Sequence, residues 1–261
     1  MLRDSILLKC AVVVIYFLLL APLVMVVAVS FNPSSSYSVS LSGFSLRWYE
    51  AFFASDIFVR ALFFVSLPIA LISSLLATTI GTLAAIATVR FRFAGRHMLE
   101  TFFMLPLLIP SILLGAALYL FFARINFSGT FGALIAGHML IGIPYVIRVV
   151  GAGLIGINPA LEEAAVNLGC NRVMAFFKVA LPLLRSSLLS GAIFAFIVSF
   201  SDINVALFLA GTNTATLPLH IFSEIQWQGD PTIAAASAIQ ILLVTFMILL
   251  VQRFFRVRLV F

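Results

Sequence analysis

LEEAAVNLGCNRVMAFFKVALPLL, residues 161–184, stands out in a chain otherwise made of long apolar runs. Asn158 suits a helix N-cap and Pro159 the first helical position, Glu162 and Glu163 set negative charge at the positive end of a helix dipole, and Gly169 supplies a left-handed stop. The spacing therefore predicts a helix over 159–168, about 15 Å long at 1.5 Å per residue. That is too short and too polar to cross a bilayer. A second start follows at Asn171, where Val173, Phe176, Phe177 and Val179 alternate with Arg172 and Lys178 before Leu181-Pro182 leads into the next apolar run. Two short helices at an angle present side chains to an approaching partner at the membrane surface, which a tight turn cannot do.

The remainder of the chain fixes the setting. Of 261 residues 63% are hydrophobic and 9% charged, far below the roughly 25% charged residues of a soluble domain. Several runs reach the roughly 20 apolar residues that span about 30 Å of hydrocarbon. We place six spans near 9–30, 58–88, 99–123, 131–156, 184–210 and 233–254, in an all-α polytopic protein with a single transmembrane domain over 1–261 and a cytoplasmic loop at 157–183. Continuous apolar runs, rather than short alternating segments, exclude an outer-membrane barrel.

Basic residues orient these spans, because cytoplasmic flanks hold an excess of Lys and Arg. Arg3, Lys9, Arg90, Arg92, Arg96, Arg172, Lys178, Arg185, Arg253, Arg256 and Arg258 fall on one side, whereas the other holds Arg47, Arg60 and Arg124 against Glu50, Asp56, Glu224 and Asp230. Both termini are thus expected in the cytoplasm. The net charge of +6 reflects this asymmetry and not a nucleic-acid footprint. The first apolar run is longer than a signal peptide's 7–15 residues and reads as a retained anchor. Cys10 and Cys170 fall on the cytoplasmic side, where thiols stay reduced.

The outside loop 31–57 is Ser-rich and turns amphipathic around Trp48 and Tyr49, which suggests a short surface helix with interfacial aromatics. Pro68, Pro106, Pro110, Pro144 and Pro182 predict kinked spans, and Gly81, Ala84, Gly137, Gly142, Gly151 and Gly153 permit close helix approach.

The motif Glu163-Ala164-Ala165, three residues, Gly169, nine residues, then Val179-x-Leu181-Pro182 resembles the EAA loop of binding-protein-dependent ABC importer permeases, with Val179 where the family usually has Ile. The resemblance implies a type I ABC importer permease fold in a bacterial inner membrane. It implies further that Glu163, Ala164, Ala165 and Gly169 form a coupling helix docking on an ATPase, with Leu181 and Pro182 at the junction to span five. Implied partners are two cytoplasmic ATPase subunits, a second and different permease, an external solute-binding protein and lipid. No cofactor or metal is implied. The whole length is similar to the second permease subunit of the spermidine/putrescine class, through Ser30-Phe31-Asn32, Trp48-Tyr49, Ser199-Phe200-Ser201-Asp202 and Leu217-Pro218-Leu219 with Ile221. Where polyamine members carry paired acids after Ser-Phe, this chain has Ser201-Asp202. Relatives moving opines, phosphonates, thiamine or iron share these features.

The residues themselves offer no catalytic centre. A phosphate-cradling loop needs GxxxxGK[ST], and the only lysines, Lys9 and Lys178, follow no such glycines. His97, His138 and His220 are isolated and read as packing or interface residues. Asp202 is the clearest ionisable residue inside a span, with Ser199 and Asn204 close by, and such residues suggest a transport pathway. Arg148 is placed to snorkel or to pair with Glu162 or Glu163. A self-sufficient channel or secondary carrier is the rival class, and it would need its own coupling-ion site.

Overall fold

A computed structural model describes residues 6–34, 43–227 and 231–255; Arg3, Asp230, Arg256, Arg258 and much of the Ser-rich loop lie outside them. The described residues are helical or irregular: α1 Ile6–Ser30, α2 Arg47–Ala54, α3 Asp56–Val59, α4 Leu67–Arg90, α5 Arg96–Leu108, α6 Ser111–Arg124, α7 Phe131–Ile155, α8 Ala160–Asn167, α9 Arg172–Ala175, α10 Leu181–Ser201, α11 Asn204–Leu209, α12 Leu217–Trp227 and α13 Thr232–Phe255. Five helical stretches are long and apolar enough to span a membrane, and α5 with α6 makes a sixth if counted as one bent span.

Proline decides where the helices are irregular. Leu67-Pro68 and Leu181-Pro182 each open a long helix directly after a π-helical stretch, Arg60–Ser66 and Phe176–Ala180. A prolyl ring clashes with the carbonyl four residues back and gives it no N–H, so the preceding turn widens. At Pro110 the outcome is a break. The span expected over 99–123 is bent by 106° between α5 and α6. Span five ends sooner than expected as well, since α10 stops at Ser201 and Asp202 lies in the gap before α11.

The chain forms two compact units, residues 1–60 with 220–245, and residues 61–219 with 246–261. In the first unit, Trp48 is buried and its indole Nε1 donates to the Asn32 carbonyl at 2.8 Å, while the Tyr49 hydroxyl meets Ser30 Oγ at 2.7 Å. The expected surface helix therefore exists, but its aromatics clamp the end of α1. The most apolar 18-residue window of α1 buries none of its residues.

In the second unit α4, α7 and α10 pack most closely, and small residues set their separation. A Cβ on Gly81 would stand 2.8 Å from Val146 Cβ, and one on Gly142 would stand 3.2 Å from both Ala77 and Ala195. Backbones that approach so closely gain dispersion contacts in lipid, where no hydrophobic drive exists between helices. Ala77, Ala85, Val146, Val150, Leu184 and Ala195 form one core of this unit, and Ile69, Leu134, Val205 and Leu209 belong to another beside α11.

Candidate functional site

The loop after α7 folds largely as its residues dictate. Asn158 Oδ1 accepts from Ala160 N at 3.0 Å in an Asx turn that leads into α8; the N-cap position itself falls on Pro159, which has no side-chain cap, one residue later than expected. Gly169 has φ +96°, and a side chain there would meet nothing within 4 Å of its Cβ, so backbone conformation and not crowding requires glycine. Asn171 caps α9 through Met174 N at 2.7 Å. Leu181 and Pro182 open α10.

Nothing on α8 is fully buried. Glu163, Ala164 and Gly169 are exposed and Ala165 is half-buried. Leu161, at 49% exposure, and Leu168, at 88%, continue the alanines at helical spacing as an apolar stripe on a polar surface element. Leu168 is a surface residue that the motif does not single out. Its signal is a large apolar residue beside a helix stop.

The two glutamates separate by environment. The Glu162 carboxylate meets the Arg90 guanidinium at 2.7 Å, with side-chain exposures of 19% and 23%. Arg148, expected as a partner for Glu162 or Glu163, is exposed, and Glu162 is taken by the last residue of α4 instead. The reason is reach: α4 ends beside the loop, whereas Arg148 lies two turns before the end of α7. A cavity of about 440 Å³ lies here between Arg90, Glu162, Glu163, Val166 and Arg172.

The intramembrane candidates group around the broken span. Asp202 Oδ2 accepts from Val205 N at 2.8 Å and Ala206 N at 3.1 Å, which caps the N-terminus of α11. Asp202 also lines a cavity of about 460 Å³ with Ser111, Tyr145, Val198 and the last turn of α5. That turn is the negative end of the α5 dipole, and Pro110 offers no N–H to the Pro106 carbonyl. Asn204 Nδ2 donates to Ser111 Oγ at 2.7 Å. Ser199 is buried and does not line the cavity; its hydroxyl meets His138 Nδ1 at 2.8 Å and Ser73 Oγ at 2.9 Å. Among the described residues no Lys or Arg lines this cavity. Its polar groups can hold a cation and have nothing with which to pair an anion.

Comparison with known proteins defines the class. A family model described as "Binding-protein-dependent transport system inner membrane component" matches residues 77–260. The chain belongs to this family: it is an inner-membrane permease of an ABC importer. It is 33% identical over 92% of its length, and 92% of the relative's, to the spermidine/putrescine transport system permease protein PotC of Haemophilus influenzae. It is 32% identical to the putrescine transport system permease protein PotI of Escherichia coli, covering 85% of this chain and 80% of that one. Among solved structures, a bacterial ABC transporter involved in alginate import superposes with a TM-score of 0.71 over 95% of this chain and 96% of that one at 18% identity, which shows a shared fold.

Proposed function

We propose that this permease forms one half of an importer pathway for a polyamine or related small amine, with a second, different permease forming the other half. The observation that carries the cargo is Asp202 in a cavity that also holds the Ser111 and Tyr145 hydroxyls and is, among the described residues, free of basic side chains. PotC and PotI, named for spermidine/putrescine and putrescine transport, support the same chemistry. Asp202 is the amine-binding carboxylate, Asn204 holds Ser111 at the cavity wall, and Ser199 acts behind them. A charged site inside the membrane is costly unless it is used or paired.

Energy comes from two cytoplasmic ATPase subunits. Glu163, Ala164, Ala165 and Gly169 on the exposed side of α8 dock on one of them, and Leu181 and Pro182 pass its movement into α10. Closure of the ATPases on ATP draws the coupling helices together and opens the outer face, where a binding protein delivers the amine. Hydrolysis resets the inward-facing form, and each ligand acts by binding one conformation better than the other. Both termini lie in the cytoplasm, consistent with Arg90, Arg172 and Lys178 flanking the coupling loop.

The test is ATP hydrolysis by the reconstituted assembly with its binding protein, with putrescine and spermidine added in turn. One amine should stimulate hydrolysis, and Glu163→Lys should abolish that stimulation while the permease remains inserted. Stimulation only by an anionic or metal-bearing solute would overturn the cargo. Unchanged stimulation in Glu163→Lys would overturn the docking role.

A further inference from the structure

Behind Asp202, Ser199 belongs to a chain of three buried polar side chains from three helices, none of which lines the cavity. Ser73 on α4, His138 on α7 and Ser199 on α10 are 0%, 1% and 4% exposed. Ser73 Oγ lies 2.9 Å from Ser199 Oγ, which lies 2.8 Å from His138 Nδ1. The other ring nitrogen, Nε2, is buried without a hydrogen-bond partner among the described residues and stands 3.9 Å from Asp202 Oδ2. That separation is about 1 Å beyond hydrogen-bonding range.

The direction of the hydrogen bonds is set by the acid. If His138 Nδ1–H donates to Ser199, Ser199 to Ser73 and Ser73 to the Ala70 carbonyl at 3.4 Å, Nε2 turns a lone pair toward the carboxylate. Lone pair and carboxylate then repel. If Ser73 donates to Ser199 and Ser199 to Nδ1, Nε2 carries the proton and presents it to Asp202. An ionised Asp202 selects the second arrangement. The serines then fix the ring as a directed donor, in the way that a second group orients a functional histidine.

We propose that His138 is a positioning residue for Asp202: it holds Oδ2 toward the α11 N-terminus, so that Oδ1 is left for the ammonium group of the cargo. This rests on the cargo reading above. Val205 N and Ala206 N already hold Oδ2 there; the His138 N–H dipole adds to them against rotamers that release it, and amine affinity would fall as those populate.

The experiment measures equilibrium binding of radiolabelled putrescine and spermidine to the permease–ATPase assembly in nanodiscs, without the binding protein. His138→Leu should weaken binding several-fold, as expected for losing an N–H dipole aimed at a charged group from just beyond hydrogen-bonding range. His138→Gln, whose amide can donate from near the Nε2 position, should recover most of that loss. In an Asp202→Asn background, His138→Leu should have no further effect, which a merely structural role would not produce. Wild-type affinity in His138→Leu, no recovery by Gln, or losses that multiply in the double variant would overturn the positioning role alone. Unaltered binding in Asp202→Asn, or no binding of either amine by the unsubstituted assembly, would overturn the cargo reading with it.

Discussion

Glu162 and Glu163 are adjacent, chemically identical and assigned to opposite tasks. One is folded against Arg90 and the other left exposed. A helix turns 100° per residue, so neighbours face different surroundings; which glutamate faces inward depends on where α4 ends. Gly169 is the residue whose role is most local. At φ +96° with open space around it, Gly169→Ala should cost roughly 1 kcal/mol at the loop through backbone strain alone. Gly169→Asn, which tolerates the left-handed region, should cost less. Transport coupled to ATP hydrolysis in the two variants checks this: Asn should retain more coupling than Ala, and the reverse order would point to a packing role instead.

Between elements, the Arg90–Glu162 pair ties α8 to α4, while the chain itself ties α8 to α10 through α9 and the π-helical turn. In the proposed docking, movement of α8 thus reaches two spans. Because both side chains are mostly withdrawn from water, removing one partner leaves a poorly solvated charge. Glu162→Arg or Arg90→Glu alone should lower uptake by about tenfold, and the reciprocal double variant should recover much of it, as double-mutant cycles of coupled charges show. Equal defects in the single and double variants would mean that the pair does not act as a tether. The π-helical turns before Leu67-Pro68 and Leu181-Pro182 follow a related logic, since one missing N–H shifts the ladder without ending the helix.

For the molecule as a whole, the most apolar window of α1 and the apolar stripe of α8 are exposed surfaces. Lipid can cover apolar helix in the membrane, but not Leu161 and Leu168 on the loop proposed to face the cytoplasm. Gentle extraction from its native membrane should therefore recover the chain with a Walker-motif ATPase and a second permease. Native mass spectrometry reads the composition directly, and a stable, transport-competent chain isolated alone would favour the secondary-carrier class.

Apolar runs and the EAA spacing suffice to read a polytopic helical permease and the short helices between α7 and α10, because hydrocarbon demands long helices and because Asn158, Gly169 and Asn171 act on backbone within a few residues of themselves. Asp202 too was legible, as an acid in an apolar run. His138 was not: it is an isolated histidine in sequence, and its meaning comes from Ser73, Ser199 and Asp202, distant residues brought within 4 Å of one another in turn only when α4, α7 and α10 pack. The bend at Pro110 and the pairing of Glu162 with Arg90 belong to the same class. Proline can kink a span or break it, and a glutamate can take any cation in reach; packing against neighbouring helices makes the choice, because only there are the freed backbone groups and buried charges satisfied or left open.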